Sequence, residues 1–155
     1  MGTSTDAILA YGYDLGCGDE WKFREVGEYG EPVLDWYDDE ADDTFADQAE
    51  KRLLESVGFA EEWAPDNGYW DRKKEAETRL GIKIETYCKD DYPMYVLAAK
   101  VITVSRGDVE ILNLPALMDE PTEHGWDHGL RTALTVLGIT PTQEQPAWVL
   151  CSYWG

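Results

Sequence analysis

The chain has 155 residues, and its 32 Asp and Glu stand against 13 Lys and Arg for a net charge of -19, with an isoelectric point near 4.2. Bases this few and scattered offer no patch for DNA, RNA or anionic lipid, which argues against direct nucleic-acid or membrane binding. Seven Trp, nine Tyr and three Phe separate it from disordered acidic chains, which are poor in aromatic residues, and the length suits one domain spanning residues 1–155.

From the amino end, residues 7–13 read as a short apolar strand that runs into Asp14-Leu-Gly-Cys-Gly-Asp19, whose glycines permit a tight turn. Residues 21–26 alternate Trp21 and Phe23 with Lys22 and Arg24 as a half-buried strand does, and residues 33–37 read as another. From Glu25 to Glu50 eleven acidic residues occur without a Lys or Arg. Thr44 and Asp47 then approximate a capping box, and Phe45, Ala49, Leu53 and Val57 recur at helical spacing up to Gly58. After the turn at residues 65–68, a second helix over residues 69–80 carries Arg72, Lys73, Lys74 and Arg79 and stops at Gly81.

Residues 82–87 alternate as a strand, and residues 94–104, nearly all apolar apart from Lys100, belong in the middle of the sheet, covered on both sides. Arg106-Gly-Asp108 resembles an adhesion motif, but its glycine stands where a hairpin needs one, so it reads as a turn into a strand over residues 109–112. A last helix takes Asp127 as N-cap, buries Leu130, Ala133, Leu134 and Leu137, and ends at Gly138 and Pro141. Residues 147–154 form an aromatic strand that needs burial inside the sheet. The amino end has neither a basic leader nor a long apolar run, and the three cysteines are too few for a disulfide framework, so a cytoplasmic protein with reduced thiols is expected.

No segment carries a decisive catalytic signature. His124 and His128 stand four apart, the spacing at which a helix offers two ligands to zinc, but Gly125 occupies the position of the zinc-protease glutamate, and Gly125 with the cap at Asp127 puts a helix start between the two rings. A third ligand would have to come from Glu123, Asp127 or Cys151. The acids at residues 38–43 lack the glycine and closing glutamate of a calcium loop. Cys17 lies between glycines, but Asp14, Asp19 and Glu20 oppose a thiolate there. No cofactor is expected.

Four stretches, Ala10-Tyr-Gly-Tyr-Asp-Leu-Gly16, Phe45-Ala-Asp-Gln-Ala-Glu50, Asp91-Tyr-Pro-Met-Tyr-Val-Leu97 and Leu150-Cys-Ser-Tyr-Trp-Gly155, resemble a group of small uncharacterised acidic proteins from Streptomyces, related actinobacteria and their phages. The resemblance spans most of the chain. It implies a bacterial or phage intracellular setting and carries no chemistry across.

The expected fold is α+β, a single mixed or mainly antiparallel sheet of five or six strands with two or three packed helices. The expected function is noncatalytic binding of a basic protein, one that itself binds nucleic acid, through an acidic face that imitates DNA phosphates. Asp35, Trp36, Tyr37, Asp38, Asp39, Glu40, Asp42, Asp43, Asp47 and Glu50 make up that face, with carboxylates for steering and rings for anchoring. A metal-assisted hydrolase built on His124 and His128 is the enzymatic alternative. Acidity that serves only solubility is the third reading.

Overall fold

Residues 4–155, described by a computed structural model, run in the order β1 (Thr5–Cys17), β2 (Glu20–Trp21), α1 (Phe45–Ser56), α2 (Tyr69–Leu80), β3 (Lys83–Lys89), β4 (Tyr92–Ser105), α3 (Leu114–Glu123), α4 (Trp126–Leu137) and β5 (Ala147–Trp154). The five strands make one mixed sheet in the order β2-β1-β4-β3-β5, with β5 returning to pair with β1. The fold is α+β. Among the described residues no helix is long and apolar enough to cross a membrane.

The pairing directions dictate the shape. β1 is antiparallel to β4 and β5, and β4 to β3, yet β3 and β5 meet in parallel at Cys88↔Tyr153 and Lys89↔Trp154. A flat sheet cannot satisfy all four relations. They hold together only if β1 and β4 coil as a ribbon until the two ends of β1 run in opposing senses. Register shifts at Tyr11/Gly12 and Asp14/Gly16 mark the bends. A side chain at Gly12 would collide with the Leu97 carbonyl, and Gly16 adopts a φ of +77° beside the Glu20 carbonyl, so both positions require glycine. Cys88, with φ 72°, is the left-handed residue at which β3 touches both Pro93 of β4 and Tyr153 of β5.

Curling gives the sheet two buried faces. Ile8, Ala10, Val96 and Ala98 fill the inner one, closed by Tyr87, Val101, Cys151 and Tyr153. On the outer face Tyr11, Tyr13, Leu15, Tyr95 and Leu97 pack on Phe45, Ala49 and Leu53 of α1 and on Leu130, Ala133 and Leu137 of α4. Each fully buried leucine contributes roughly 1.5–3 kcal/mol of transfer free energy. Leu54, Phe59 and Ala76 join α2 to α1 in a smaller cluster.

The structure departs from the sequence reading in several places, among them β5, which pairs with β1 as expected but buries none of its residues and exposes Leu150 (78%) and Trp154 (52%). Residues 22–26 contribute only isolated bridges, Phe23↔Pro141 and Val26↔Pro32, beyond the two residues of β2. Residues 33–37 form a turn, because Trp36 leaves the backbone direction to donate its indole N–H to the Leu137 carbonyl at 2.7 Å. Residues 109–112 belong to no strand, and Val109 and Ile111 are 85% and 92% exposed. Helix α3 was not anticipated: Pro115 suits its first turn, Pro121 lies near its end, and Asn113 caps it by accepting from the Ala116 N–H at 3.2 Å. Helix α4 starts from Gly125 in the left-handed conformation instead of from Asp127, whose carboxylate accepts the Tyr11 hydroxyl at 2.6 Å.

Candidate functional site

Helix α1 and the loop before it build the acidic face. Thr44 accepts from the Asp47 N–H at 3.1 Å while Asp47 accepts from the Thr44 N–H at 3.1 Å and its hydroxyl at 2.8 Å, which closes the capping box. Gln48, one turn into the helix, then reaches back over the loop. Its side chain accepts from the Asp38 N–H at 2.9 Å and donates to the carbonyls of Asp38 and Asp43 at 2.9 and 3.0 Å. Asp38 in turn accepts from the Glu40 N–H at 2.9 Å. One glutamine therefore holds both ends of a loop whose carboxylates repel each other, a role that residue type and spacing do not announce.

Charge on this face is compensated at its margins and left bare in the middle. Asp35 pairs with Arg52 at 3.5 Å and Glu50 with Lys73 at 3.3 Å. Among the described residues Asp38, Asp39, Glu40, Asp42, Asp43 and Asp47 are exposed and have no cation within ion-pair distance. Arg72 is committed to Glu61, with Nη2 to Oε1 at 2.7 Å and Nε to Oε2 at 2.8 Å. Its bonds hold the Glu61 carboxyl below the ordinary carboxylate range.

The two rings assigned to the face point elsewhere. Trp36 and Tyr37 are half-buried and pack on Phe45, with ring centroids 5.3 and 5.4 Å from it. Trp36 is therefore a support for the core, and Tyr37 lines a hollow beside the loop. The exposed rings near the acids are Trp63, 60% exposed, and Trp70.

Two hollows flank the ridge, and Asp43 lines both. A groove of about 370 Å³ between α1 and α2 has Leu54 and Phe59 among its apolar lining, with Trp63 and Tyr69 beside Asp47, Glu50, Glu61 and Glu62. On the other side an open pocket of about 340 Å³ lies between the β1–β2 turn, the β3–β4 turn and the start of α1.

The remaining sequence candidates are not brought together. His124 is the C-cap of α3 and stacks on Trp126, with centroids 5.6 Å apart, while His128 is exposed in the first turn of α4. Gly125 breaks the helix between them, and Asp127 is engaged by Tyr11. Among the described residues no group of three His, Cys, Asp or Glu could hold a metal ion, so the alternative of a metal site at His124 and His128 finds no third ligand there. All three thiols are free: Cys17 is buried, whereas Cys88 and Cys151 are only partly so.

One polar cluster escaped the sequence reading. Asp14 faces the curled interior and accepts from the Tyr87 hydroxyl at 2.7 Å, the Lys22 ammonium at 2.8 Å and the Gly16 N–H at 3.1 Å. Burial pushes the Asp14 carboxyl up, but these three donors outweigh it and hold it below its ordinary value. Burial and then the Asp14 bond push the Tyr87 hydroxyl far up. Every acceptor is matched, and among the described residues no buried side-chain polar atom lacks a partner. The cluster is a clasp on the bent strand. Its only advance signal was a carboxylate between two glycines in an apolar strand.

Comparison of the chain with protein-family models, with curated proteins and with solved structures returns no match.

Proposed function

We propose that the protein is a noncatalytic binding protein whose acidic ridge, from Asp38 to Asp47, engages a basic protein of the kind that binds nucleic acid, by presenting carboxylates where that partner expects phosphates. The observation that carries this reading is a surface loop fixed by Gln48 at both ends and bearing carboxylates with no cation partner among the described residues. Holding like charges together in a fixed array costs free energy, and a basic surface docking there recovers it. Such a field raises the encounter rate with a cationic partner by 10- to 1,000-fold at low salt, roughly. The sequence resemblance to actinobacterial and phage proteins would place partner and inhibitor in the same cell.

The test is competition. Basic DNA-binding domains would be titrated with the protein in the presence of labelled duplex DNA, at low and at moderate salt. Displacement of DNA that weakens with salt, and that is lost on Asp39→Asn, Glu40→Gln and Asp42→Asn together, is the expected result. Displacement indifferent to salt or to the triple substitution would end the proposal.

A further inference from the structure

We propose that the open pocket beside the acidic ridge binds the guanidinium of an arginine side chain presented by the basic partner, an inference that rests on the acidic-face reading and names what the face recognises. The pocket is walled by Trp21, Tyr37, Phe45 and Tyr95. Trp21 and Tyr95 lie within 7° of parallel with centroids 5.9 Å apart, and Phe45 fills the corner at 4.5 Å from Trp21 and 5.2 Å from Tyr95. The rings already touch one another, and Phe45 and Tyr95 are 3% and 5% exposed, so a ligand stacks on the half-buried rings of Trp21 and Tyr37, with Phe45 and Tyr95 backing them. Asp19, Asp43 and Asp91 stand around the opening, and no Lys, Arg or His lines it. Rings with negative faces under uncompensated carboxylates attract a cation and repel an anion.

The hydroxyls decide which cation. Tyr95 is only 5% exposed, and among the described residues no protein group bonds its hydroxyl; since no buried side-chain polar atom there lacks a partner, that hydroxyl is the part of the residue that reaches solvent. It lines the pocket and offers an acceptor there. A quaternary ammonium has no N–H to give it, and a lysine ammonium is compact and strongly hydrated. A guanidinium is planar, weakly hydrated and carries five donors, so it stacks on the rings while its edge reaches the Tyr95 oxygen and the carboxylates. The pocket volume of about 340 Å³ falls at the lower end of the roughly 300–1,000 Å³ typical of ligand sites, a size for one side chain.

Nitrogen-15 NMR titrations with acetyl-Gly-Arg-Gly-amide, its lysine counterpart and its neutral citrulline counterpart test this directly. The arginine peptide should shift the Trp21 indole N–H and bind at least about threefold more tightly than the lysine peptide, and the citrulline peptide should leave that signal unmoved. Tyr95→Phe keeps the ring and should weaken arginine binding about three- to tenfold with no change in Tm. Equal binding of arginine and lysine peptides, shifts confined to residues outside the pocket, or a Tyr95→Phe variant that binds as well as the parent would overturn it. If both peptides bind alike and lose affinity on Asp39→Asn, Glu40→Gln and Asp42→Asn, the pocket is refuted while the acidic ridge stands. If the ridge fails in the DNA competition but the arginine peptide still selects Trp21, the pocket stands alone.

Discussion

Removing the Asp14 carboxylate should loosen the bent strand on which the whole sheet turns. Asp14→Ala deletes the acceptor for the Tyr87 hydroxyl, the Gly16 N–H and the Lys22 ammonium at once. A hydrogen bond to a charged group contributes about 1.5–3 kcal/mol, and the first two are part-buried. The Lys22 side chain is 43% exposed, so solvent reduces its share to about 0–1 kcal/mol. Alanine also spares the burial of a carboxylate whose side chain is only 18% exposed, which offsets part of the loss. The net expectation is a destabilisation of about 3 kcal/mol. Urea unfolding followed by tryptophan fluorescence at pH 7 measures it, and a double-mutant cycle with Tyr87→Phe should show a coupling of about 1 kcal/mol or more. The pH dependence has a definite sign. The folded carboxyl lies below its ordinary 3.8, so its contribution is complete above that value and disappears as pH falls through the lower, folded one. Asp14→Asn should therefore flatten the acid limb of the stability curve. A loss under about 1 kcal/mol for Asp14→Ala, or additivity with Tyr87→Phe, would refute the clasp.

Three further expectations concern other parts of the fold. Gln48→Ala should speed hydrogen exchange at the Asp38 amide about tenfold or more while leaving the urea midpoint nearly unchanged, because the bonds it removes lie in a surface loop; an unchanged Asp38 amide would contradict the tethering role. The Cys151 thiol is pushed up to about 11 by burial, with Asp14 and Glu85 adding to it, so peptide mapping after iodoacetamide treatment at pH 8 should show it alkylated about a hundredfold more slowly than a free thiol. Alkylation at the free-thiol rate would dispose of that assignment. At Cys88, where φ is 72°, glycine should be tolerated or slightly stabilising and valine should cost about 1–3 kcal/mol, as read from thermal unfolding; equal stability of the two variants would show that the left-handed turn carries no strain.

Sequence and structure agree best at helix caps and stops and at the longest strand and helix patterns. The capping box at Thr44 and Asp47, the stop at Gly81 and the bounds of α2 and β5 follow from neighbouring residues alone. The apolar run over residues 94–104 foretold a strand, but coverage on both faces holds only for Tyr95, Val96, Leu97 and Ala98; the residues after them are half-buried or exposed. What escaped depends on distant partners. Asp127 looked like a cap because Tyr11, far away in sequence, could not be foreseen as its donor. Residues 109–112 have a strand's composition but no neighbour to pair with. The acidic run could be read as a face, but its fixation by Gln48 and its place between two hollows could not, because those follow from how α1 packs on the sheet.

The coiled ribbon also sets the order of events in folding. Ile8 of the first strand meets Cys151 of the fifth and Thr103 of the fourth, so of the five strands the first to be made waits longest for its neighbours. Contacts this remote in sequence close slowly. In the interval a strand rich in alanine, leucine and tyrosine stands unsatisfied along both flanks, the condition under which chains stick to one another. An excess of like charge on every copy opposes that attraction by mutual repulsion, which acts on the unfolded chain as much as on the folded one.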